Sequence, residues 1–243
     1  MKIIKLNAIN STNTYLKEIL KKENVQDNTV VWTQNQTEGR GQQDAKWVSE
    51  PYKNLTFSIL KRFDDFLSEH HFVLNMVVAL SIFRCLKKLH IPDLSLKWAN
   101  DILSGNKKIC GILIENSINN QYITTSVIGV GLNVNQLNFN ELTKATSLQK
   151  ITGIHYNLEE IIHLVLKELQ VAFQKLYETT PTEIYNHYHK YLYRKDKPST
   201  FQDIYGMRFM GFIRGVTAQG ELCIELEDQV LRTFRLKEVQ LLY

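Results

Sequence analysis

Leu94-Ser95-Leu96-Lys97-Trp98-Ala99-Asn100-Asp101, followed after Ile102-Leu103 by Ser104-Gly105-Asn106-Lys107-Lys108-Ile109-Cys110-Gly111, contains two strand signals and a turn signal. Leu94 to Trp98 reads as a short strand, Ser104-Gly105-Asn106 supplies turn chemistry, and Ile109 to Glu115 returns as a second strand. The hairpin so predicted presents Asp101 and Lys108 near its tip. Downstream, Asn119-Asn120 makes the next turn. Tyr122 to Asn135 is rich in β-branched residues and carries Gly129 and Gly131, consistent with a central strand that another backbone or a ligand approaches closely. Upstream, Pro92 marks the end of a helix capped by Ser68. Its Leu74, Val77, Val78, Ser81, Cys85 and Leu89 recur at helical spacing, and extra apolar neighbours imply burial on most sides.

The flanks extend this pattern. Ser11 is a candidate N-cap for a helix through about Lys22, with Leu16, Ile19 and Leu20 on its inner side. Val30 to Thr33 reads as a strand that delivers the polar loop Gln34 to Lys46, and Leu55 to Leu60 reads as the next strand. Asn157 with Glu160 has the spacing of a capping box before the stripe Ile161, Val165, Leu169, Ala172, Leu176, and Pro181 starts another helix. After about Arg194 the composition changes: Pro198 precedes short strands punctuated by Gly206, Gly211, Gly215 and Gly220, and Leu222, Ile224 and Leu226 alternate with polar residues. That segment predicts a small β-barrel of about 45 residues, marginal alone and expected to dock on the main domain. The expected organisation is α+β, with residues 1–195 as a mixed-sheet domain backed by helices and 196–243 as the barrel.

With 243 residues and 44% apolar content, a substantial core is feasible. Cys85, Cys110 and Cys223 are odd in number and scattered, which indicates neither a disulfide framework nor a zinc site; they read as small hydrophobes in a reducing cytoplasm. The apolar start Lys2 to Leu6 is too short for a signal peptide, and no later run approaches the ~20 apolar residues of a membrane helix, so no membrane association is expected. A net charge of +4, spread along the chain, gives no reason to expect a nucleic-acid partner. His187 and His189 lie in a Tyr-rich helical stretch without acidic or Cys partners and read as solvent-facing or packing residues.

Two segments carry chemistry. Gly39-Arg40-Gly41 runs into Trp47, and Lys97 to Asp101 is followed by Lys108 and Gly111. Each sets cationic side chains beside backbone thin enough to touch a ligand, an arrangement suited to a phosphate-bearing, polyanionic substrate.

With Ser11-Thr12-Asn13 upstream and Gly129-Val130-Gly131-Leu132-Asn133 downstream, these segments closely resemble the biotin–protein ligase family. The family's glycine-rich biotin loop, its K-W-P-N-D block with a lysine seven residues beyond the Asp, and its G-x-G-x-N strand all have counterparts. The likeness is specific from about Ser11 to Asn135 and looser to Tyr243. It implies a class II synthetase-like mixed sheet with an SH3-like C-terminal barrel, and a two-step reaction. Biotin's carboxylate attacks the α-phosphate of ATP to give biotinyl-5′-AMP and pyrophosphate; a lysine of a biotin carboxyl carrier protein then attacks the acyl-adenylate. By position in the motifs, Lys108, Asp101 and Arg40 are the catalytic candidates. Ser11, Thr12, Asn13, Gln36, Gly39, Arg40, Gly41, Lys108, Gly111, Leu113 and Gly129 would bind biotin. Arg40, Gln42, Trp47, Asn100, Asp101, Lys108 and Asn133 would bind ATP or the adenylate, and Asp101 would be the Mg²⁺ ligand. Ser11 keeps the alternative of a cap only, and Trp47 and Trp98 that of core packing.

Departures from the family pattern fall in the glycine loop, where Gln42, Asp44 and Ala45 replace residues that include a second arginine, and at Ala99, which replaces the usual proline. Three alternatives differ from this reading. A lipoate–protein ligase shares the fold and the adenylation chemistry, but its glycine-rich and His-Asp signature is missing. A biotinyl-AMP-sensing repressor carries a winged-helix domain upstream; only ten residues precede Ser11, so a monofunctional enzyme is expected. A silent binding relative would have had no need of Lys108 and Asp101. Which carboxylase is served, and whether exposed strands pair two subunits into a homodimer, are left open.

Overall fold

The structure is a computed structural model that describes residues 1–43, 45–140 and 142–242, so the departure at Asp44 lies outside the described residues. A seven-stranded sheet forms the frame: β1 (Lys2–Ile9), β2 (Thr29–Gln36), β3 (Leu55–Leu67), β4 (Leu94–Lys97), β5 (Asp101–Ser104), β6 (Lys107–Asn119) and β7 (Tyr122–Leu132). Its order is β1-β2-β3-β7-β6-β5-β4. β1 runs parallel to β2 and the other neighbours are antiparallel, so the sheet is mixed, as expected. β1 is an edge strand that the sequence reading did not find. Its exposed lysines and asparagine blur the apolar alternation that marks a buried strand.

Side chains alternate across this sheet and give each face its own layer. Val30, Phe57, Ile59, Ile128 and Val130 join the large core with the helices α2 (His71–Lys88), α4 (Leu158–Gln174) and α5 (Pro181–Lys190). On the other face Val31, Leu60 and Val127 pack under α1 (Thr12–Lys22). Each fully buried aliphatic side chain contributes about 1.5–3 kcal/mol, so the multi-helix face dominates stability. Length and mean hydropathy alone would allow the helical segment Ser68–Lys88 to cross a membrane, a pattern the sequence reading passed over. Within the most apolar window of that segment 78% is buried inside the chain, as befits a core helix.

Local details correct several expectations. Ser68 does not cap α2: it starts a single 3-10 turn, Ser68–His70, and α2 follows at His71 with no side-chain cap. Asn157 caps α4 by accepting the N–H of Glu159, without the box predicted for Glu160. The capping box occurs instead at Thr180 and Glu183, ahead of Pro181 in the first turn of α5. A short α3 (Leu148–Thr152) ends at Gly153, whose φ of 75° is the left-handed conformation that glycine adopts freely. The predicted two-stranded hairpin is a three-stranded meander, because four-residue strands are too short to separate from turns by composition. Lys108 pairs with Leu103 near the turn, and Asp101 pairs with Gly111 at the far end of β5.

The C-terminal strands are β8 (Pro198–Asp203), β9 (Arg208–Val216), β10 (Leu222–Leu226), β11 (Leu231–Phe234) and β12 (Val239–Leu242). They form an antiparallel five-stranded sheet, ordered β11-β10-β9-β8-β12. As expected of so small a unit, it docks: Phe201, Ile213, Leu222, Ile224 and Val239 belong to the main core. Three polar ties reinforce the contact. Trp98 Nε1 donates to Gly220 O at 2.8 Å, Tyr185 Oη to Ala218 O at 2.8 Å, and Val216 N to His189 Nε2 at 3.0 Å.

Candidate active site

The α1 face of the sheet is bare where β6 and β7 carry glycine. Gly111 pairs with Gly131 and Leu113 with Gly129, so three glycines near the sheet centre leave room on this face for groups from other segments. Above it lies a cavity of about 280 Å³. Every site residue expected from the sequence lines it except Gly39 and Asn133. Gly39 lies in an adjoining cleft with Arg40, and Asn133 in a second cavity that shares Trp47, Asp101 and Lys108 with the first.

One end of the cavity is polar and pre-organised. Ser11 Oγ accepts the N–H of Thr14, so its cap role is real, and Ser11 also lines the cavity. Gln36 Oε1 accepts from Thr12 N at 2.9 Å and Thr12 Oγ1 at 3.2 Å. Ser58 Oγ lies 2.7 Å from Thr12 Oγ1 and 2.5 Å from Asn13 Oδ1. The sequence reading missed Ser58, which lies in a buried strand and carries no motif. Asn13 fills the space over Gly129, where a Cβ would stand 2.3 Å from its Oδ1. Gly129 therefore admits the Asn13 side chain while also lining the cavity.

Cations gather at the other end. Lys108 Nζ stands 2.5 Å from Asp101 Oδ1 and 5.6 Å from the centroid of the Trp47 ring. Asn100 faces inward but spends its amide on Ile112 O at 2.7 Å, a structural duty for the turn that precedes Asp101. Ala99 lies in the same turn, and the Trp98–Ala99 peptide is cis. The glycine loop is a small hairpin: Gly41 N donates to Ala45 O, Trp47 N donates to Gly39 O, and Arg40 bridges Lys46. It is tied down twice. Arg40 Nη2 meets Glu115 Oε2 at 3.0 Å, and Lys237 from the C-terminal sheet donates to Gln43 O at 3.0 Å. Lys237, Leu236, Lys46 and Glu115 surround the site without a sequence signal; single charged residues in turns look the same whether they face solvent or a cavity.

Behind Trp47 the second cavity, about 260 Å³, is walled by Asn133, Phe139, Leu142 and Ala145. Asn133 donates Nδ2–H to Thr146 O, while its Oδ1 is buried with no partner. A buried carbonyl left unpaired costs about 1–3 kcal/mol, so this atom is suited to accept from a ligand amino group. Trp47 packs between the cavities, and Trp98 packs on the core, which resolves the packing alternative for Trp98. The cysteines are free, and burial pushes the Cys85 thiol up to about 12 and Cys110 higher, so neither acts as a nucleophile.

The site thus combines a mixed sheet, a glycine-floored pocket, a polar end and a lysine–carboxylate pair. Residues 6–133 match the model of the biotin/lipoate A/B protein ligase family, and the chain belongs to that family. It is 30% identical over 179 residues to the bifunctional ligase/repressor BirA of Bacillus spizizenii, covering 72% of this chain and 53% of that protein. The chain thus spans about half the length of this curated relative. It is 26% identical to the biotin–[acetyl-CoA-carboxylase] ligase of Mycobacterium tuberculosis, covering 82% of this chain and 74% of that one. A biotin protein ligase from Aquifex aeolicus, solved in complex with biotin and ATP, superposes with a TM-score of 0.79 at 27% identity, covering 99% of this chain and 98% of that one.

Proposed function

We propose that the protein is an ATP-dependent biotin–protein ligase that forms biotinyl-5′-AMP and transfers biotin to a lysine of a biotin carboxyl carrier domain. The observation that carries this is the Lys108–Asp101 pair at the junction of the two cavities. The polar end, with Ser11, Thr12 and Gln36, offers hydrogen-bonding groups for a ureido ring, with Ser58 bracing Thr12 from behind, and Leu113, Phe57 and Ile112 offer apolar wall for an aliphatic tail. The unpaired Asn133 Oδ1 suits adenine's amino group. Between these ends, biotin's carboxylate and the α-phosphate would meet at Lys108.

The first step needs no base, because the carboxylate is already ionised; the obstacle is like charge. Lys108 would neutralise both partners as charge moves from carboxylate to phosphate, with Arg40 as a second cation lining the same cavity. Asp101 is the carboxylate that would hold Mg²⁺, whose remaining oxygen ligands come from phosphates and water in sites of this kind. No cluster of three metal-ligating side chains exists among the described residues. When bound, the ion neutralises phosphate charge. In the second step the acceptor lysine, with a pKa near 10.4, has on the order of one amine in a few thousand neutral at pH 7, and Asp101 would take its proton.

We read residues 1–195 as the catalytic unit and 196–243 as an SH3-like module whose Leu236 and Lys237 complete the pocket rim. The test is streptavidin-detected labelling of a purified carrier domain with and without ATP, paired with ATP–pyrophosphate exchange on biotin against lipoate. ATP-dependent labelling and biotin-only exchange are expected; exchange with lipoate alone would replace this reading.

A further inference from the structure

Glu115 joins the two ends of the pocket. It follows Gly111 and Leu113 at alternate positions of β6 and so shares their face of the sheet. Its Oε2 accepts from Asn13 Nδ2 at 2.8 Å and meets Arg40 Nη2 at 3.0 Å; its Oε1 takes Lys17 Nζ at 2.7 Å and lies 3.2 Å from the same arginine nitrogen. Burial works to raise its pKa, but hydrogen bonds from Lys17 and Asn13 and the charges of Lys17 and Arg40 outweigh that and hold it below the ordinary range. The carboxylate is therefore anionic at neutral pH.

Asn13 is fixed at this end by Ser58 and by the space over Gly129. Arg40 reaches Glu115 through Nη2 alone, and its guanidinium has no other partner among the described residues. A guanidinium has five N–H donors in a rigid fork. Anchoring one corner orients the rest of the fork without using it up.

We propose that Glu115 is a positioning residue for adenylation: it holds one corner of Arg40 so that the remaining N–H groups meet the substrate's negative charge, and it ties that orientation to Asn13 at the polar end. This rests on the biotin ligase reading. A role confined to anchoring α1 through Lys17 would instead be mimicked by removing Lys17.

The test measures biotin affinity by calorimetry and biotinyl-AMP synthesis from labelled ATP in single turnovers, with thermal melts as a folding control. Glu115→Gln can still accept from Asn13 but loses the charge that holds Arg40. It is expected to lower kcat/KM for MgATP about tenfold while biotin Kd stays within about threefold, as a misplaced positioning group does. In an Arg40→Ala background the same substitution should add nothing further, since the cycle isolates the pair. Lys17→Met should leave synthesis near the parental rate. Full additivity of Glu115→Gln with Arg40→Ala, a Lys17→Met variant that reproduces the loss, or a Glu115→Gln variant equal to the parent would each overturn the proposal. A parent protein that makes no biotinyl-AMP would bring down the ligase reading itself, and this proposal with it.

Discussion

The Trp47 ring lies directly on the backbone of Gly131: a Cβ at that glycine would stand 2.3 Å from Cε2 of the indole and 2.5 Å from Cζ2. Overlaps that close cannot be absorbed, so the ring has to move. Gly131→Ala is expected to leave the sheet formed, to shift tryptophan emission, and to reduce biotinyl-AMP formation about tenfold or more through displacement of a group near the reacting atoms. Unchanged emission and rate would mean that Trp47 is not seated on this strand in solution.

Lys108→Ala removes the cation proposed to neutralise both carboxylate and α-phosphate. Adenylate formation should fall by about 10²–10³-fold, the usual loss for a preorganised electrostatic group, and Lys108→Arg should restore part of it. A parental rate of adenylate synthesis in Lys108→Ala would remove this pocket from consideration as the reaction centre.

Asp101→Asn separates the two half-reactions. If Asp101 takes the acceptor lysine's proton, the pH–rate profile of transfer from preformed biotinyl-AMP changes in the variant. Superimposable profiles would assign the proton to another group.

Gln42 lines the central cavity, and the family pattern that the glycine loop resembles often has a second arginine there. A neutral amide holds a phosphate less firmly than a guanidinium, so biotinyl-AMP should leave the parent faster than it leaves Gln42→Arg, by about tenfold for each 1.4 kcal/mol of added binding. Rapid gel filtration of the loaded protein reads the difference. Equal retention of the adenylate by both proteins would show that this position does not grip it.

His189 ties the C-terminal sheet to α5 as an acceptor, and its ring nitrogen can accept from Val216 N only while unprotonated. Burial, with a smaller effect of Lys195, lowers its pKa in the folded state. Protonation therefore favours the unfolded or undocked form. The contribution is fully present above the unfolded pKa of about 6.5 and is lost as pH falls below it toward the depressed folded value. The parent should lose about 1 kcal/mol more than His189→Gln between pH 7.5 and 5.5, the worth of one hydrogen bond, in paired denaturant titrations. Parallel pH dependence in the two proteins would show that His189 is not the titrating link.

Most pocket residues were legible because the chemistry is carried by short segments. Glycines beside arginine or lysine over a few positions mean the same thing wherever the chain folds, and Ser11 to Asn13, Arg40 to Gln42, and Asn100 with Asp101 all line one cavity. Helices with a strong apolar stripe were legible for the same local reason. β1 was not, since an edge strand alternates weakly; α2 starts at His71 without a side-chain cap where Ser68 had suggested one, and Asn157 does cap α4 but through the N–H of Glu159 rather than a box with Glu160, details set by backbone geometry that residue type does not carry.

By itself the sequence pointed to the family and to most of the helices and strands, and it singled out Lys108, Asp101 and Arg40 as candidates to face a polyanion, because backbone thinness and charge are properties of local composition. Tertiary structure alone decided that Arg40 meets Glu115, that Ser58 braces Asn13, that Trp47 lies on Gly131 and that Lys237 reaches the glycine loop. Each of those contacts joins segments far apart in the chain. Sheet register and the docking of the C-terminal strands, set by the packing of the whole core, bring them together.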